Sequence, residues 1–523
     1  MTAGPHRALV ALHGVDVDSP TRRPLIRDLG LSVSVGDRVA LIGRNGVGKS
    51  TLLELLGGRV TPERGVVSLT TAPAFVRQDP SRDEALGSAR DLLDRARVEP
   101  ELEGELAREL AEVGLRPLTQ LLAAQELSRG EVRKLLLIAA KLAQPELLLL
   151  DEPSEDLDAA GEAWLQRWLP SFRGGLIVAS HSRRLLRCFE HFFIVAESGC
   201  RYLAGSFEQL ERQLEREQAD RQRRYVEDLK TLADAERHNH AVNQRRRRKK
   251  NVGRLHELRR CTSRCRLNDK RSYAQESQAK AAKIRNERIG ATREWTRSTR
   301  RALRVQLPLR ALVATLPDPD GEPLISLSDV GVAVGGRPLF DRVSARLGRE
   351  RVGVVGQNGS GKTTLVQVML GERAPSHGTA TRRSERIGSI AQGASDWVSN
   401  DSLLTRLLDR SSAASLDEAA QLLLAHRFPL ALAERPLASL SPGERVRAAL
   451  ICLSRQTPAL ELLVLDEPTF SLDLVGLAAL EAALAAWPGG LVVVSHDREF
   501  LDAIGTRAKL TLDGRGGHTW TCY

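Results

Sequence analysis

Two short stretches of this chain carry the residue types and spacing of a phosphate cradle. One supplies Gly43, Asn45, Gly46, Gly48, Lys49, Ser50 and Thr51; the other supplies Gly356, Asn358, Gly359, Gly361, Lys362, Thr363 and Thr364. Glycines at this spacing let backbone N–H groups turn inward around phosphate oxygens, and a helix opening directly after them adds its positive end. Lys49 and Lys362 then reach the β- and γ-phosphates of a nucleoside triphosphate, and Ser50 and Thr363 offer a hydroxyl to Mg²⁺. Such a loop alone means only nucleotide binding. Two acidic pairs sharpen it, because apolar runs end in Asp151-Glu152 and in Asp466-Glu467. Each aspartate is placed to hold Mg²⁺ from behind the hydroxyl, and each glutamate, one residue on, to orient or deprotonate an attacking water. That chemistry is hydrolysis of the terminal phosphate.

The elements that position these groups occur twice. Leu127 to Glu131 reads Leu-Ser-Arg-Gly-Glu, and Leu440 to Glu444 reads Leu-Ser-Pro-Gly-Glu; apolar runs ending in Ser180-His181 and Ser495-His496 complete the two sets. Lys49 to Ser128 and Lys362 to Ser441 both span 79 positions, and Glu152 to His181 and Glu467 to His496 both span 29. Chance can supply one phosphate loop in a long chain, but not two ordered sets at equal intervals. Residues 39–42 and 352–355 are apolar and read as strands entering the Gly-rich turns, with helices over 52–56 and 365–370. Residues 147–150, 462–465, 177–179 and 492–494 read as buried parallel strands. The expected fold class is α/β, with P-loop domains at 1–206 and 322–523 and the segment 207–321 between them. Residues 317–321, rich in Pro and Asp, read as a hinge.

Composition narrows the class. Of 523 residues 42% are hydrophobic, enough for two cores. The longest apolar run, Leu135 to Leu150, is broken by Lys141, Pro145 and Glu146, and a spanning helix needs about 20 apolar residues. Met1 to Gly14 lacks the layout of a secretion signal. Six scattered cysteines in a charge-rich chain suit a reducing compartment, so a cytoplasmic protein without membrane contact is expected. The net charge of +11 is concentrated: Arg237 to Arg304 holds 23 Lys and Arg against five acids, a local +18, which leaves −7 elsewhere. A basic insert between acidic domains points to a polyanionic partner.

Taken together, the phosphate loops, the Leu-Ser-x-Gly-Glu elements and the acidic strand ends resemble the ATP-binding-cassette superfamily. The resemblance implies that ATP is the nucleotide and that the chain works as a monomer closing on itself. Ser128 and Gly130 would cap the phosphate held by the Lys362 loop, and Ser441 and Gly443 that held by the Lys49 loop. Gln78 and Gln392 would sense Mg²⁺ and the water, and His181 and His496 would contact the γ-phosphate. Two cassettes, no membrane helices and a long charged linker resemble the ABC-F family of ribosome-acting ATPases over essentially the whole chain. The sequence departs from the pattern in places. Arg129 and Pro442 stand where a glycine is common, and Ser154-Glu155-Asp156 and Thr469-Phe470-Ser471 replace the usual Thr-Asn-His. No aromatic lies between Val10 and Ile42, and Phe340 is too near Gly356 to match the adenine-stacking position.

Within the insert, Phe207, Leu210, Leu214, Tyr225, Val226, Leu229 and Leu232 recur at helical steps. Asn251 to Gly253 would break that helix, and Ala282, Ile284, Ile289, Trp295 and Leu303 would mark its return: a helical hairpin, basic toward its tip. Uncompensated Lys and Arg at this density suit a phosphate backbone, and with aromatics few the mode is not base stacking. Cys261, Cys265 and His256 lack the further ligands of a zinc site. The family resemblance makes the partner ribosomal RNA or tRNA, in translation regulation or protection against ribosome-targeting antibiotics. Gln78 to Ser128 and Gln392 to Ser441 span 50 and 49 residues, without the extra arm of some translation-factor members. The alternatives are an ATP-dependent DNA-binding protein of the Uup-like branch and the ATPase part of a transporter with separate membrane subunits.

Overall fold

The computed structural model describes residues 7–18, 24–123, 127–196, 199–217, 322–335, 337–383, 386–410, 415–426, 430–454, 460–470 and 472–522, with isolated positions elsewhere. The hairpin turn at 251–253, its return helix, the basic run from Arg237, Cys261, Cys265 and the 317–321 hinge all lie outside the described residues, Arg237 itself excepted. One compact unit takes in 1–210 and 308–523, and a second takes in 211–307. Phe207 and Leu210 are buried within the first unit, Phe207 packing near Phe192 at 6.5 Å between ring centroids.

The first cassette contributes β1 (Ala8–Asp18), β2 (Pro24–Ser34), β3 (Arg38–Gly43), β4 (Arg64–Leu69), β5 (Ala74–Val76), β6 (Leu147–Asp151), β7 (Gly175–Ala179), β8 (His191–Ala196) and β9 (Gly199–Ala204). They form a three-stranded antiparallel sheet, β2-β1-β4, and a six-stranded sheet, β5-β6-β7-β3-β8-β9, parallel except for the β8–β9 pair. The second cassette repeats the plan with β10 (Ile325–Val334), β11 (Arg337–Leu347), β12 (Arg351–Gly356), β13 (His377–Arg382), β14 (Ile387–Ile390), β15 (Leu462–Asp466), β16 (Gly490–Val494), β17 (Ala508–Leu512) and β18 (His518–Cys522). Its sheets run β11-β10-β13 and β14-β15-β16-β12-β17-β18. The parallel strands expected from the uninterrupted apolar runs are thus present, and β6, β7, β15 and β16 are buried along their whole length.

This topology explains how distant motifs meet. The strand leading into the phosphate loop, β3, lies beside β7, which lies beside β6, so the carboxyl ends of all three share one edge. The register pairs Leu41 with Ala179 and Ala179 with Asp151; in the second cassette it pairs Val354 with Val494 and Val494 with Asp466. Ligands of parallel sheets sit at such an edge. The helices that leave the phosphate loops, Lys49–Leu56 and Lys362–Leu370, are held by apolar faces: Leu52, Leu53, Leu55 and Leu56 share a core with strands of both sheets.

A helical layer interrupts each sheet after β5 or β14. It ends in the helices Arg129–Ala143 and Pro442–Leu453, and the Leu-Ser-x-Gly-Glu elements are their caps. Ser128 and Ser441 accept from the N–H of Glu131 and Glu444, whose carboxylates accept back from the serine N–H groups. Among the described residues no helix is long and apolar enough to cross a membrane.

A buried ion pair fixes the first of these helices to the acidic strand end. Lys134 Nζ donates to Asp158 Oδ2 at 2.9 Å and to Val113 O at 2.8 Å, while Asp158 Oδ1 caps the helix Ala159–Trp168 through Gly161 N–H. Removing the carboxylate strands a buried ammonium and uncaps a helix. Asp158→Ala is expected to lower the first urea-unfolding transition of the full chain by about 3–5 kcal/mol. An unchanged midpoint would show that this pair does not hold the helical layer in place.

Candidate active sites

Two cavities hold the motif residues, and each is lined by both cassettes. The first, about 540 Å³, has Asn45, Gly46, Gly48, Lys49, Ser50, Thr51, Gln78, Asp151, Glu152 and His181 on one wall, and Pro442, Thr469, Phe470 and His496 on the other. The second, about 480 Å³, is lined by Asn358, Gly359, Gly361, Lys362, Thr363, Thr364, Gln392, Asp466, Glu467 and His496, facing Ser128, Arg129, Gly130 and Asp156. Ser441 and Gly443 flank Pro442 but do not themselves line the first cavity. Between the cassettes, Asn358 Nδ2 donates to Asp156 O at 2.7 Å. A Cβ on Gly130 would stand 2.7 Å from that same carbonyl, so only glycine allows the approach.

The phosphate loops are shaped by their glycines. Gly48 and Gly361 precede their helices at φ 110° and 92°, a left-handed conformation that keeps the following N–H groups turned into the loop. Gly43 and Gly356 lie where a Cβ would meet a neighbouring strand's carbonyl, Val195 O at 2.4 Å or Leu512 O at 2.6 Å. Their own carbonyls hold the lysines: Lys49 Nζ and Lys362 Nζ each donate to them at 2.9 Å. Burial lowers the pKa of both ammonium groups, and carboxylates oppose it from both cassettes. For Lys49 these are Glu152, Asp473 and Asp151; for Lys362 they are Glu467, Asp466 and Asp158.

The two glutamates after the aspartates share an unusual backbone, Glu152 at φ 46° and Glu467 at φ 43°. Each N–H is anchored to the adjacent strand, on Ala179 O at 2.8 Å and Val494 O at 2.9 Å. A non-glycine residue in this region costs about 1–3 kcal/mol and persists where the surrounding structure enforces it. The aspartates bear on whether a cation fits the sites. Asp151 is hydrogen-bonded by Ser50 and Asp466 by Thr363, while in each the Oδ1 atom is buried without a partner. Among the described residues no cluster of three or more His, Cys, Asp or Glu could hold a metal. One hydroxyl and one carboxylate per site fit Mg²⁺, which keeps water and phosphate oxygens as its remaining ligands.

The sites differ in their histidines. In the first, Lys49 Nζ donates to His181 Nε2 at 2.8 Å, and His181 N–H donates to Glu152 Oε2 at 3.1 Å. Burial and then Lys49 hold the imidazole well below its ordinary range, and burial lifts Glu152 to about 8, with Lys49 opposing and Asp151 and Glu155 adding. In the second, His496 Nδ1 lies 3.2 Å from Glu467 Oε1. Burial would lower His496, but Glu467, Glu162 and Asp497 raise it to about 9.

Several residues at the sites were not singled out by motif. Leu25 and Leu339, 24 and 23 residues ahead of the lysines, line the two cavities in place of an aromatic. Their packing against Gly48 and Gly361 was hidden because neither is aromatic, and Phe340 is fully buried. Arg183 makes a two-pronged pair with Glu481 at 2.8 and 3.0 Å, and Arg187 pairs with Glu499, both joining one cassette to the other. No local motif announces these pairs; only the assembled interface does.

The family model described as ABC transporter matches residues 26–155 and 341–470. The chain is 31% identical to the ATP-binding protein Uup of Caulobacter vibrioides, over 98% of this chain and 79% of the relative. It is 31% identical to the tylosin resistance ATP-binding protein TlrC of Streptomyces fradiae, over 94% of each. It is 28% identical to ATP-binding cassette sub-family F member 3 of Homo sapiens, over 92% of this chain and 68% of the relative. In fold it is similar to the archaeal ribosome recycling factor aABCE1, crystallised with the stalk protein aP1. The TM-score is 0.58 at 17% identity, over 97% of this chain and 89% of that one.

His496 supplies a test of the interface electrostatics. Because its folded pKa of about 9 exceeds the ordinary 6.5, its stabilising contribution is complete below pH 6.5 and is lost as pH rises through 9. The melting temperature of wild type relative to His496→Gln is therefore expected to fall between those two pH values. A difference that stays constant or widens would contradict the charged-imidazole assignment.

Proposed function

Because the chain belongs to the ABC-F branch of the ATP-binding-cassette family, a P-loop ATPase with two cassettes in one polypeptide, we propose that it acts on the ribosome. ATP would close the two cassettes on each other in the cytoplasm, and the closed form would present the basic segment 207–321 to ribosomal RNA or tRNA. The observation that carries this reading is that each candidate ATP cavity is lined by residues of both cassettes. Bound nucleotide would then bridge the halves, and its hydrolysis would release them.

In this reading Lys49 and Lys362 take the β- and γ-phosphates. Ser50 and Thr363 hold Mg²⁺, with Asp151, Asp466, Gln78 and Gln392 completing its surroundings; the ion, when bound, neutralises phosphate charge. Glu152 and Glu467 orient the water and take its proton, and the strained backbone that both share supports this role. His181 and His496 face the terminal phosphate. Ser128 and Gly130 close over the Lys362 loop, and Ser441 and Gly443 over the Lys49 loop, each at a helix N-terminus suited to an anion.

The polyanion is the less direct part. It is supported by the local charge of +18 between Arg237 and Arg304, by the resemblance to a ribosome-acting family, and by a relative of nearly equal length named for resistance to tylosin. The variant Glu152→Gln with Glu467→Gln should bind ATP and stay closed, and ATP should increase its co-sedimentation with ribosomes at least severalfold. Deleting Arg237 to Arg304 should abolish that gain and leave ATP binding intact. No ATP-dependent gain would overturn the ribosomal reading, and preferential retention on duplex DNA would replace it with a DNA-acting one.

A further inference from the structure

We propose that Glu155 is a positioning residue of the first site alone, fixing the side-chain amide of Gln78 so that its oxygen is the end left for the metal and water. The inference rests on the reading of Gln78 given above and deepens it. Gln78 Nε2 donates to Glu155 Oε2 at 3.1 Å, and both residues line the first cavity with Asp151 and Glu152. A carboxylate only accepts, so the NH₂ end of the amide must face it, and the carbonyl oxygen is the end that remains. Mg²⁺ takes oxygen ligands, which makes this the useful orientation.

The backbone of the same loop is held from a second side. Arg133, 1% exposed, donates through Nη1 to Arg77 O and through Nη2 to Gln78 O. Gln78 is therefore gripped at main chain and side chain together.

The second site is built otherwise. Counting on from the glutamates, Phe470 stands where Glu155 stands; counting on from the capping serines, Val446 stands where Arg133 stands. Phe470 brings no acceptor. It packs at the loop instead, 3.6 Å from where a Cβ on Gly393 would lie. Arg445 grips that loop one residue later, donating to Gly393 O at 3.2 Å and to Leu440 O at 2.6 Å. The loop itself turns through Gly393 and Ala394 at φ 61° and 51°, which the matching Asp79 and Pro80 do not do. Among the described residues, one site thus has a glutamine held by a carboxylate and the other does not, so the two should take their metal unequally.

The test uses Mn²⁺ in place of Mg²⁺, titrated by electron paramagnetic resonance into the full chain saturated with the non-hydrolysable analogue AMP-PNP. Loss of a group that orients a metal's surroundings weakens binding about 10–100-fold. Glu155→Ala is expected to weaken one of two Mn²⁺ sites by about tenfold and leave the other. Glu155→Gln, which keeps an acceptor oxygen, should retain most of that affinity, and Phe470→Ala should change neither site. If Gln78→Ala weakens one site while Glu155→Ala weakens none, the proposal fails and the reading of Gln78 stands. If Gln78→Ala also weakens none, that reading fails and takes the proposal with it. Equal weakening of both sites by Glu155→Ala, or loss of AMP-PNP binding, would mark a general structural role and overturn the proposal.

Discussion

An ammonium group held at the mouth of a parallel sheet must be balanced by anions, and here the balance is drawn from two domains. Lys49 is fixed by the carbonyls of its own loop and surrounded by Asp151 and Glu152 of its own cassette, yet Asp473 of the other cassette also acts on it. Lys362 likewise feels Asp158 across the interface. Both aspartates from across cap helices that follow the acidic strand ends. The fold is arranged around this shared electrostatics: strand order brings three motifs to one sheet edge, and the helical layer carries the fourth to the opposite cassette.

Equal spacing between the two motif sets did not make the two sites equal. In the first, a neutral histidine accepts from the phosphate-loop lysine, and a carboxylate holds the loop glutamine. In the second, the histidine meets its glutamate through Nδ1 and carries a raised pKa, and a phenylalanine replaces the second carboxylate. The interface is lopsided too. Arg183 and Arg187 project from the first cassette to Glu481 and Glu499 of the second, whereas the residues matching Arg183 and Glu481 by position are Arg498 and Gln166, which cannot form an ion pair. Ion pairs of this kind, with both side chains 13% exposed in the Arg183–Glu481 case, lose most when one partner is removed.

How much of this could be read from the residues alone follows from where the information sits. The phosphate loops, the acidic strand ends and the parallel strands were legible because each is local: glycine spacing, a carboxylate pair, an unbroken apolar run. The capping boxes at Ser128 and Ser441 were also written locally, in the glutamate three residues on, although the cavity that Ser128 lines is completed only by the other cassette. Leu25 and Leu339 went unrecognised because packing over a glycine needs no aromatic ring. Arg133 and Arg445 could not be matched by alignment, since they reach equivalent loops from positions one residue out of step. Glu155 and Phe470 stood out only as departures from a pattern; the contact with Gln78 gives the first of them a physical meaning.

The most direct measurement counts ATP molecules trapped per chain when the arrangement is taken apart in pairs. In the Glu152→Gln, Glu467→Gln background, two should be retained. Adding Lys49→Ala with Gly443→Arg damages one shared site from both sides, and one ATP should remain. Adding Lys49→Ala with Gly130→Arg damages both shared sites, and none should remain. Cassettes that each complete their own site would give the reverse, one ATP retained by the second combination and none by the first, and phosphate loops that need no cap would retain one in both.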